Sequence, residues 1–484
     1  MPNPVSRRQL LRAAGGAMWM AVAGWTAAQA AKAKRRPNFV VILCDNLGYG
    51  DVGCFGSTKH RTPRVDRLAA EGMRLTSFYA TSGVCTPSRA SLMTGCYPRR
   101  VSLHVDENGR QVLFPVARKG LHPEEVTIAE VLKAAGYATA CIGKWHLGDQ
   151  PEFLPTRQGF DSYFGIPYSD DMTERPGQGW PPLPLMRNER VVEAPADRNT
   201  LTRRYTEQAV RFIEAHRDGP FLLYLPHAMP GSTTAPFAGE RFRGRSANGP
   251  YGDSVEELDW STGEVLAALR RAGIDRDTLL VWTSDNGAPR RQPPQGSNAP
   301  LRGWGYTTAE GGMRVPCVVR WPGRISAGGR CDEVCTTMDL LPTFARLAGA
   351  ALPTGRALDG KDIWPLLSGE PGATSPHEAF FYYHMAQLQA VRAGRWKLYL
   401  PLEKKQVGFG GQGRKAPAEL YDLDADLGET VNLADRRPDV VQQLASLAEK
   451  ARQDLGDLGR PGRGQRPAGF VKDPRPQGAG GESS

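Results

Sequence analysis

Uninterrupted runs of apolar residues recur along the chain, and polar or glycine residues flank each of them. The four clearest runs are 38–44, 138–142, 221–225 and 278–283. Runs of this length without strict polar alternation are typical of strands that are buried on both faces. They therefore predict the central strands of a sheet that is covered on each side.

Amphipathic stretches with recognisable ends separate these runs. Thr62 and Pro63 begin one that Gly72 ends, and Gly219 and Gly273 end two longer ones. Proline suits the first turn of a helix, and glycine suits the position after its last turn. The alternation of strand and helix predicts an α/β fold in which helices sandwich a large, mostly parallel sheet.

The chain has 484 residues, which is long for one compact domain. We assign residues 36–370 to a large domain. The pattern then changes to short β segments, so residues 371–458 are expected to form a smaller C-terminal α+β subdomain with a short antiparallel sheet. Residues 459–484 are rich in Gly, Pro and Arg without periodicity, which predicts a disordered tail.

Two further segments are rich in Pro, Gly and charged residues. They span 169–199 and 286–300. Long segments of this composition in a compact enzyme are commonly loops that wall a pocket. We expect both to line the functional site.

The N-terminus has the features of an export signal. Arg7 and Arg8 precede a mildly apolar stretch, and Ala28-Gln29-Ala30 has the small-x-small form of a cleavage site. This pattern predicts a signal peptide over residues 1–30 and not a stable membrane span. The paired arginines resemble a twin-arginine signal, so the expected partner is the twin-arginine export machinery and the expected location is the periplasm or the medium.

Composition restricts the class of partner. The formal net charge is +10, which favours acidic partners only weakly. No basic stripe interleaved with aromatic residues is present, so we expect no nucleic-acid partner. Several of the eight cysteines lie in apolar runs and are expected in the core, and Cys331 and Cys335 lack the nearby histidines of a zinc site.

Polar side chains follow all four predicted strands. Ligands of open α/β sheets bind beyond the carboxyl ends of the strands, so these side chains are expected to share one site. Any one of them could instead be an ordinary capping or loop residue. They are Asp45, Asn46, Lys144, His146, His227, Asp285 and Asn286.

The segment from Cys85 to Gly95 carries the most specific pattern. Pro87 suits the first turn of a helix, so Cys85 is expected at a helix N-terminus, where backbone N–H groups point outward. Such a position attracts anions, and Arg89 follows one turn later. A cysteine alone is more often an inert core residue, and that is the alternative interpretation.

This segment resembles the signature of the type I sulfatases, C-x-P-S-R-x-x-L-x-T-G, at every fixed position. The resemblance implies the alkaline phosphatase-like fold. It also implies that a maturase oxidises Cys85 to formylglycine. In that family one hydroxyl of the hydrated aldehyde attacks the sulfur of a sulfate ester, and the second expels sulfate.

Asp45, Asn46, Asp285 and Asn286 offer hard oxygen ligands, which suit Ca²⁺ or Mg²⁺. The segments around them resemble the two metal-binding segments of sulfatases, so the resemblance implies a Ca²⁺ site, with Mg²⁺ as an alternative, that also includes residue Cys85. The family usually has two successive aspartates in the first segment. Asn46 stands at the second position and lowers the negative charge of the site.

Gly143-Lys144-Trp145-His146-Leu147-Gly148 is similar to another sulfatase motif. The resemblance implies that Lys144 binds the aldehyde hydrate and a sulfate oxygen. It also implies that His146 removes a proton from the second hydroxyl and that Arg89 supports the charge of the diol. A histidine near its ordinary pKa is suited to proton transfer.

The sequence departs from the family at two further positions. Gly231 stands where the family more often has a histidine that protonates the leaving group, and Gly305 stands at the place of a common lysine. His227 is a candidate replacement for the acid. Arg302 and Tyr306 are candidate replacements for the lysine.

The sequence therefore predicts an exported sulfatase that hydrolyses a sulfate monoester of a carbohydrate or an aryl alcohol. A phosphonate or phosphodiester hydrolase of the same superfamily is one alternative. A catalytically weak protein that binds sulfated glycans is another, because two donors are missing. The expected partners are a sulfated small molecule or glycan and the maturase.

Overall fold

A computed structural model describes residues 35–175, 177–408 and 411–478. The predicted signal peptide lies outside the described residues. The strands are β1 (Asn38–Asp45), β2 (Met73–Leu75), β3 (Phe78–Tyr79), β4 (Lys119–Gly120), β5 (Ala138–Ile142), β6 (Ser162–Gly165), β7 (Leu185–Arg187), β8 (Arg190–Glu193), β9 (Phe221–Pro230), β10 (Thr278–Ser284), β11 (Cys317–Arg320), β12 (Gly329–Cys331), β13 (Cys335–Thr336), β14 (Phe380–His384), β15 (Gln387–Ala393), β16 (Trp396–Tyr399), β17 (Gln406–Val407), β18 (Gly411–Gln412), β19 (Glu419–Asp422) and β20 (Gly469–Phe470).

The helices begin and end largely where the sequence predicted. Pro63 opens the first of them, and Thr127 caps the third by accepting a hydrogen bond from the backbone N–H of Glu130. The α-helices are α1 (Pro63–Glu71), α2 (Cys85–Thr94), α3 (Ile128–Ala134), α4 (Leu201–Ala215), α5 (Gly249–Arg271), α6 (Glu310–Met313), α7 (Leu340–Ala348), α8 (Trp364–Leu367) and α9 (Pro438–Leu455).

The large sheet has ten strands in the order β12-β2-β11-β10-β1-β9-β5-β6-β7-β8. The four predicted strands are neighbours at its centre and run parallel to one another, together with β6. Both margins of the sheet add antiparallel strands. The predicted fold class, a large and mostly parallel sheet sandwiched by helices, is confirmed.

Alternate residues of β1 pack into two separate cores. Val41 and Leu43 face a core with α2, α3 and α7, whereas Val40 and Ile42 face a core with α1, α4 and α5. Side chains on a strand alternate between faces, so both faces of this central strand must be apolar. This requirement explains the continuous apolar run in the sequence.

The C-terminal region contains the predicted small antiparallel sheet. Strands β14, β15, β16 and β19 pair in that order, and α9 packs with them in a third core. Tyr79, Met313 and Met338 of the large domain belong to the same core. The core therefore continues across the predicted domain boundary.

Two expectations for irregular segments are corrected. Residues 459–478 are not disordered: Gly469 and Phe470 form β20, which pairs with β4. Arg466 in this tail forms an ion pair with Glu125 at 2.7 Å. The expected loop 169–199 also contains the β7–β8 hairpin. The sequence did not predict this hairpin, because short strands with charged residues lack the apolar run that marks a central strand.

None of the described helices is long and apolar enough to cross a membrane.

Candidate active site

The register of the central strands places the two acidic segments side by side. Cys44 pairs with Ser284 at the carboxyl ends of β1 and β10, so Asp45 and Asp285 leave the sheet as neighbours. The N–H of Asp285 donates to the carbonyl of Cys44 at 3.0 Å. Parallel pairing thus brings together residues that are 240 positions apart in the chain.

Arg89 connects both carboxylates from the first turns of α2. Its Nη2 lies 2.7 Å from Asp45 Oδ2 and 2.8 Å from Asp285 Oδ2, and its Nη1 donates to the carbonyl of Lys144 at 2.6 Å. All of these side chains are fully buried. The guanidinium therefore fixes three segments of the site to one another.

The two carboxylates differ in pKa. Burial opposes the ionisation of both, but the positive charges of Lys144 and Arg89 outweigh it at Asp45 and lower the pKa to about 2. At Asp285, burial and the negative charge of Asp45 raise the pKa to about 6. Asp45 is the firmly ionised member of the pair.

The oxygen donors are suited to a hard divalent cation. One ligand atom each from Asp45, Cys85 and Asp285 lies within 4.8 Å of the others. Asn286 Oδ1 is buried and has no hydrogen-bond partner among the described residues. An orphaned amide oxygen beside two carboxylates fits a cation of the Ca²⁺ or Mg²⁺ type.

Asn46 takes part in the same cluster through its side chain. Its Nδ2 donates to Asp45 Oδ1 at 2.9 Å and to Ser232 Oγ at 3.1 Å, and its Oδ1 accepts from Asn286 Nδ2. An aspartate could not make the two donations. The asparagine side chain therefore connects Asp45 with Ser232 in a way that the usual second aspartate cannot.

Cys85 is the first residue of α2, as the sequence predicted, and is buried beside both carboxylates. Burial raises the pKa of its thiol well above the ordinary value, and the charges of Asp285 and Asp45 raise it further. A thiolate is the reactive form of cysteine. In this environment the unmodified side chain stays a thiol, which disfavours a simple cysteine nucleophile.

Lys144 reaches the cluster from the end of β5. Its Nζ forms an ion pair with Asp45 Oδ2 and donates to Ser169 Oγ at 3.2 Å. Burial opposes its charge, but Asp45 more than compensates and raises the pKa of Lys144. The side chain is a fixed cation at the predicted position.

His146 is held in one tautomer. Its Nε2 lies 2.9 Å from the carbonyl of Leu113 and must donate to it, which leaves the buried Nδ1 as the unprotonated nitrogen. Nδ1 has no hydrogen-bond partner among the described residues. Burial and the charge of Lys144 hold the pKa of His146 well below its ordinary value, so the ring is neutral and Nδ1 is free to accept a proton.

Three residues of the site have backbone conformations that residues other than glycine rarely adopt. Asn46, His146 and Tyr306 have φ values of 60°, 65° and 67°. Strain of about 1–3 kcal/mol at each such residue is tolerated where the surrounding structure fixes it, and it is concentrated at functional sites. The local sequence gave no indication of this feature.

His227 does not join the cluster. It lies on β9 in series with Leu223 and Leu225, on the face that α4 and α5 cover. Its Nε2 lies 3.1 Å from Ser261 Oγ, and burial alone lowers its pKa to about 3. The alternation of side chains on the strand explains why its proximity in sequence to Gly231 was misleading.

The two proposed replacements for the missing lysine have different positions. Arg302 forms an ion pair with Glu419 at 3.2 Å and donates to Tyr421 Oη at 3.0 Å, both on β19. It therefore belongs to the contact with the small sheet. Tyr306, by contrast, lies near the site, since its hydroxyl is 3.1 Å from Ser232 Oγ.

The two unusual glycines are closely packed. A Cβ atom on Gly305 would lie 2.3 Å from the carbonyl oxygen of Gly287. One on Gly231, which has a φ of 69°, would lie 2.8 Å from Asp170 Oδ1. The backbone at both positions has adjusted to the absence of a side chain.

Four polar residues near the site were not identified from the sequence. Ser169 and Asp170 follow β6, which was too short to recognise as a fifth central strand. Polar residues directly after that segment were the available signal. Ser232 and Arg291 lie in irregular segments, and no pattern marks them. Arg291 is buried and donates to the carbonyls of Gly231 and Thr233.

The fold and these motifs define a hydrolase of the alkaline phosphatase-like superfamily, and comparison with known proteins identifies the family. The Sulfatase family model matches residues 37–350, and the model for the C-terminal region of aryl-sulfatase matches residues 375–460. The chain belongs to the sulfatase family and is a sulfuric ester hydrolase.

Individual relatives agree with this assignment. Human arylsulfatase A is 40% identical over 452 residues, which cover 85% of this chain and 87% of that protein. Mouse steryl-sulfatase is 40% identical over 451 residues, with coverage of 77% and 72%. The solved structure of a sulfatase from Pseudoalteromonas sp. is 27% identical with a TM-score of 0.76, and the match covers 88% of this chain and 91% of that chain.

Proposed function

We propose that this protein is an exported sulfatase whose nucleophile is formylglycine made from Cys85, and that it releases sulfate from a monoester of a carbohydrate or an aryl alcohol. The observation that carries the proposal is the meeting of Cys85 with Asp45 and Asp285, whose ligand atoms lie within 4.8 Å. The high pKa of the unmodified thiol supports a modified nucleophile.

The metal ligands would be Asp45, Asn46, Asp285 and Asn286, with residue 85 beside them. A bound Ca²⁺ or Mg²⁺ supplies a Lewis acid that neutralises charge on a sulfate oxygen. The orphaned Oδ1 of Asn286 supports this ligand set. Arg89 keeps the two carboxylates in place by donating to Asp45 Oδ2 and Asp285 Oδ2.

The remaining residues position the sulfate group and remove a proton from the hydrate. The hydrate of formylglycine would supply two hydroxyl groups at residue 85. One attacks sulfur, and deprotonation of the other re-forms the aldehyde and breaks the bond between carbon and the sulfated oxygen, which releases sulfate. Lys144 binds sulfate oxygens as a fixed cation, since its ammonium is held by Asp45 and Ser169. His146 accepts a proton at Nδ1 from the second hydroxyl, because its Nε2–H is committed to Leu113.

The first experiment is mass spectrometry of the peptide around Cys85 in active enzyme. Conversion to the aldehyde replaces sulfur with oxygen and removes two hydrogens. We expect Cys85→Ala to abolish hydrolysis of an aryl sulfate, whereas Cys54→Ala, at a partly buried cysteine on the surface of the same domain, retains it. Active enzyme that keeps the original thiol at residue 85 would refute the proposal.

Substrate class and export are tested separately. A panel of aryl sulfate, steryl sulfate, sulfated sugars and an aryl phosphonate distinguishes the proposed activity from that of a phosphonate hydrolase. We propose export through the N-terminal twin-arginine segment to the periplasm or medium, after a maturase has acted. Replacement of Arg7 and Arg8 by lysine should leave the protein, with its signal uncleaved, inside the cell.

A further inference from the structure

Asp170 is a buried carboxyl group that the proposed mechanism does not use. Its side chain is fully buried, and both carboxyl oxygens lack a hydrogen-bond partner among the described residues. A buried carboxylate without partners is costly, so the group is either protonated or completed by a molecule that binds there. Both possibilities direct attention to what lies next to it.

The position of Asp170 connects it with the reacting groups. It follows Ser169, whose Oγ accepts a hydrogen bond from Lys144 Nζ. Its Oδ1 lies 2.8 Å from the point where a Cβ atom on Gly231 would be. The carboxyl group thus borders the space that a side chain at residue 231 would fill.

A neighbouring loop holds Gly231 in this position. Arg291 donates to the carbonyl of Gly231 and, at 3.1 Å, to that of Thr233, and Gln295 donates to the carbonyl of Thr234 at 2.6 Å. The N–H of Gly231 donates to the carbonyl of Asp45 at 3.0 Å. The turn that contains Gly231 is therefore fixed between the metal-binding segment and the carboxyl group of Asp170.

Neither of the two predicted histidines nor Lys144 is suited to giving up a proton. His146 is neutral and has its one N–H committed to Leu113, and His227 faces Ser261 on the other side of β9. Lys144 is an ammonium bound to Asp45. An alcohol leaving group nevertheless needs a proton, because an alkoxide is a poor leaving group.

We propose that Asp170 is the general acid of this sulfatase and donates its proton to the ester oxygen of the leaving alcohol. This inference rests on the proposed function. As the nucleophilic hydroxyl oxygen forms its bond to sulfur and releases its proton to water, the bond between sulfur and the ester oxygen breaks and its electron pair stays on that oxygen. The oxygen takes the proton of Asp170, which becomes a carboxylate and is reprotonated by water after the alcohol leaves.

The charges around Asp170 agree with this role. Burial and the negative charge of Asp171 raise its pKa to about 8, and Asp45 adds to the effect, whereas Lys144 and Arg198 oppose it. The buried Tyr205 also faces the group. Asp170 is therefore mostly protonated at neutral pH, and it gives up its proton as the pH rises through about 8.

The test measures kcat/KM for a series of aryl and sugar sulfates whose leaving groups differ in basicity. We expect Asp170→Asn to lose about 10²- to 10³-fold on the poorest leaving groups and less than about threefold on 4-nitrophenyl sulfate, since a good leaving group needs no acid. With poor leaving groups, wild-type activity should fall above about pH 8, and this decline should be absent with 4-nitrophenyl sulfate.

Two controls separate this role from structural effects. Asp171→Asn should keep the wild-type dependence on the leaving group and only shift the alkaline decline to lower pH, because it removes a neighbouring negative charge. Difference infrared spectra of wild type and Asp170→Asn at neutral pH should show a protonated carboxyl group that the variant lacks. Thermal unfolding checks that the variant is folded.

A uniform loss on all esters, or a loss that excess Ca²⁺ restores, would refute the acid role and identify Asp170 as a structural or metal-binding residue. Unchanged activity of Asp170→Asn on poor leaving groups would also refute it. If wild-type protein carries the aldehyde but hydrolyses no sulfate ester, the proposed function itself fails, and this inference fails with it.

Discussion

At the scale of single residues, Gly305 has a packing environment that excludes the lysine common in the family. A Cβ atom there would lie 2.3 Å from the carbonyl oxygen of Gly287 and 3.0 Å from the backbone nitrogen of Pro289. We expect Gly305→Lys to lower stability by about 1–3 kcal/mol without raising activity, because the backbone must shift. Gly219→Lys, at an open position, is the control. Denaturant unfolding measures both, and a gain in activity would contradict this prediction.

Asn46 offers a second test at this scale, because its side chain donates to Asp45. Asn46→Asp replaces this donating amide with a third negatively charged carboxylate beside Asp45 and Asp285. We expect the metal-free variant to be less stable and its Ca²⁺ affinity to rise about tenfold, since ligand charge tunes Ca²⁺ binding. Isothermal titration calorimetry and thermal unfolding with and without chelator measure these effects. Equal Ca²⁺ affinity in variant and wild type would show that Asn46 is not a ligand.

His227 is a histidine that sequence reasoning placed in the site and the structure places in the core. Because its Nε2 pairs with Ser261, we expect His227→Gln to lower stability by about 1–3 kcal/mol through an unsatisfied buried group. Its kcat/KM should change by the same factor for good and poor leaving groups. A selective loss on poor leaving groups would restore His227 as the acid.

The residues of the site differ in how well the sequence predicted them. Local patterns indicated the positions of three of them. Asp45 and Lys144 follow apolar runs, and Cys85 begins a helix that has Pro87 in its first turn. His227 was misplaced because the direction of a side chain depends on strand alternation across a whole core. Asp170 and Arg291 were missed because their importance comes from neighbours that are distant in sequence.

At the scale of elements, the tail strand β20 was not predictable from composition. Gly120 and Gly469 pair across β4 and β20, and a Cβ atom on either would lie within 2.5 Å of the Phe153 ring. The glycine content of this segment predicted disorder, but these two glycines are needed there because the backbone packs closely against the Phe153 ring. The central strands were predictable because burial on both faces requires a continuous apolar run in the local sequence. The pairing of β20 with the distant strand β4 requires no such run.

Truncation tests the structural role of this tail. We expect a chain that ends at residue 458 to unfold at a temperature several degrees lower than the full chain, because it loses β20 and the buried part of the Arg466–Glu125 ion pair. A chain that ends at residue 478 is the matched control and should unfold like the full protein. Equal midpoints for all three, measured by circular dichroism, would mean that the tail contributes nothing to stability.

At the scale of the whole molecule, one buried carboxylate connects the large domain with the small antiparallel sheet. Glu310 accepts hydrogen bonds from Tyr79 at 2.6 Å and from Tyr382 at 2.7 Å, and Lys397 Nζ lies 2.9 Å from its Oε1. Tyr79 belongs to the large domain, and the other two partners belong to the small sheet. The large domain and the small sheet are therefore expected to unfold together.

The pKa of Glu310 makes this connection dependent on pH. Burial opposes its ionisation, but Lys397 and Arg314 outweigh burial and hold the pKa well below the ordinary 4.5. A carboxyl group whose pKa is lowered by folding contributes stability above its unfolded value, and the contribution is lost as the pH falls toward the folded value. Stability should therefore decline as the pH falls below about 4.5.

Glu310→Gln separates this effect from general acid denaturation. We expect the variant to lose about 3–5 kcal/mol at neutral pH, since Lys397 is left as a buried charge with less compensation, and to lose less than wild type on further acidification. Glu403→Gln removes an exposed ion pair with Lys415 and should change stability by less than about 1 kcal/mol. Denaturant unfolding from neutral to acid pH, followed by tryptophan fluorescence and circular dichroism, measures both variants. Parallel pH profiles for wild type and Glu310→Gln would show that the ionisation of Glu310 does not stabilise the contact between the large domain and the small sheet.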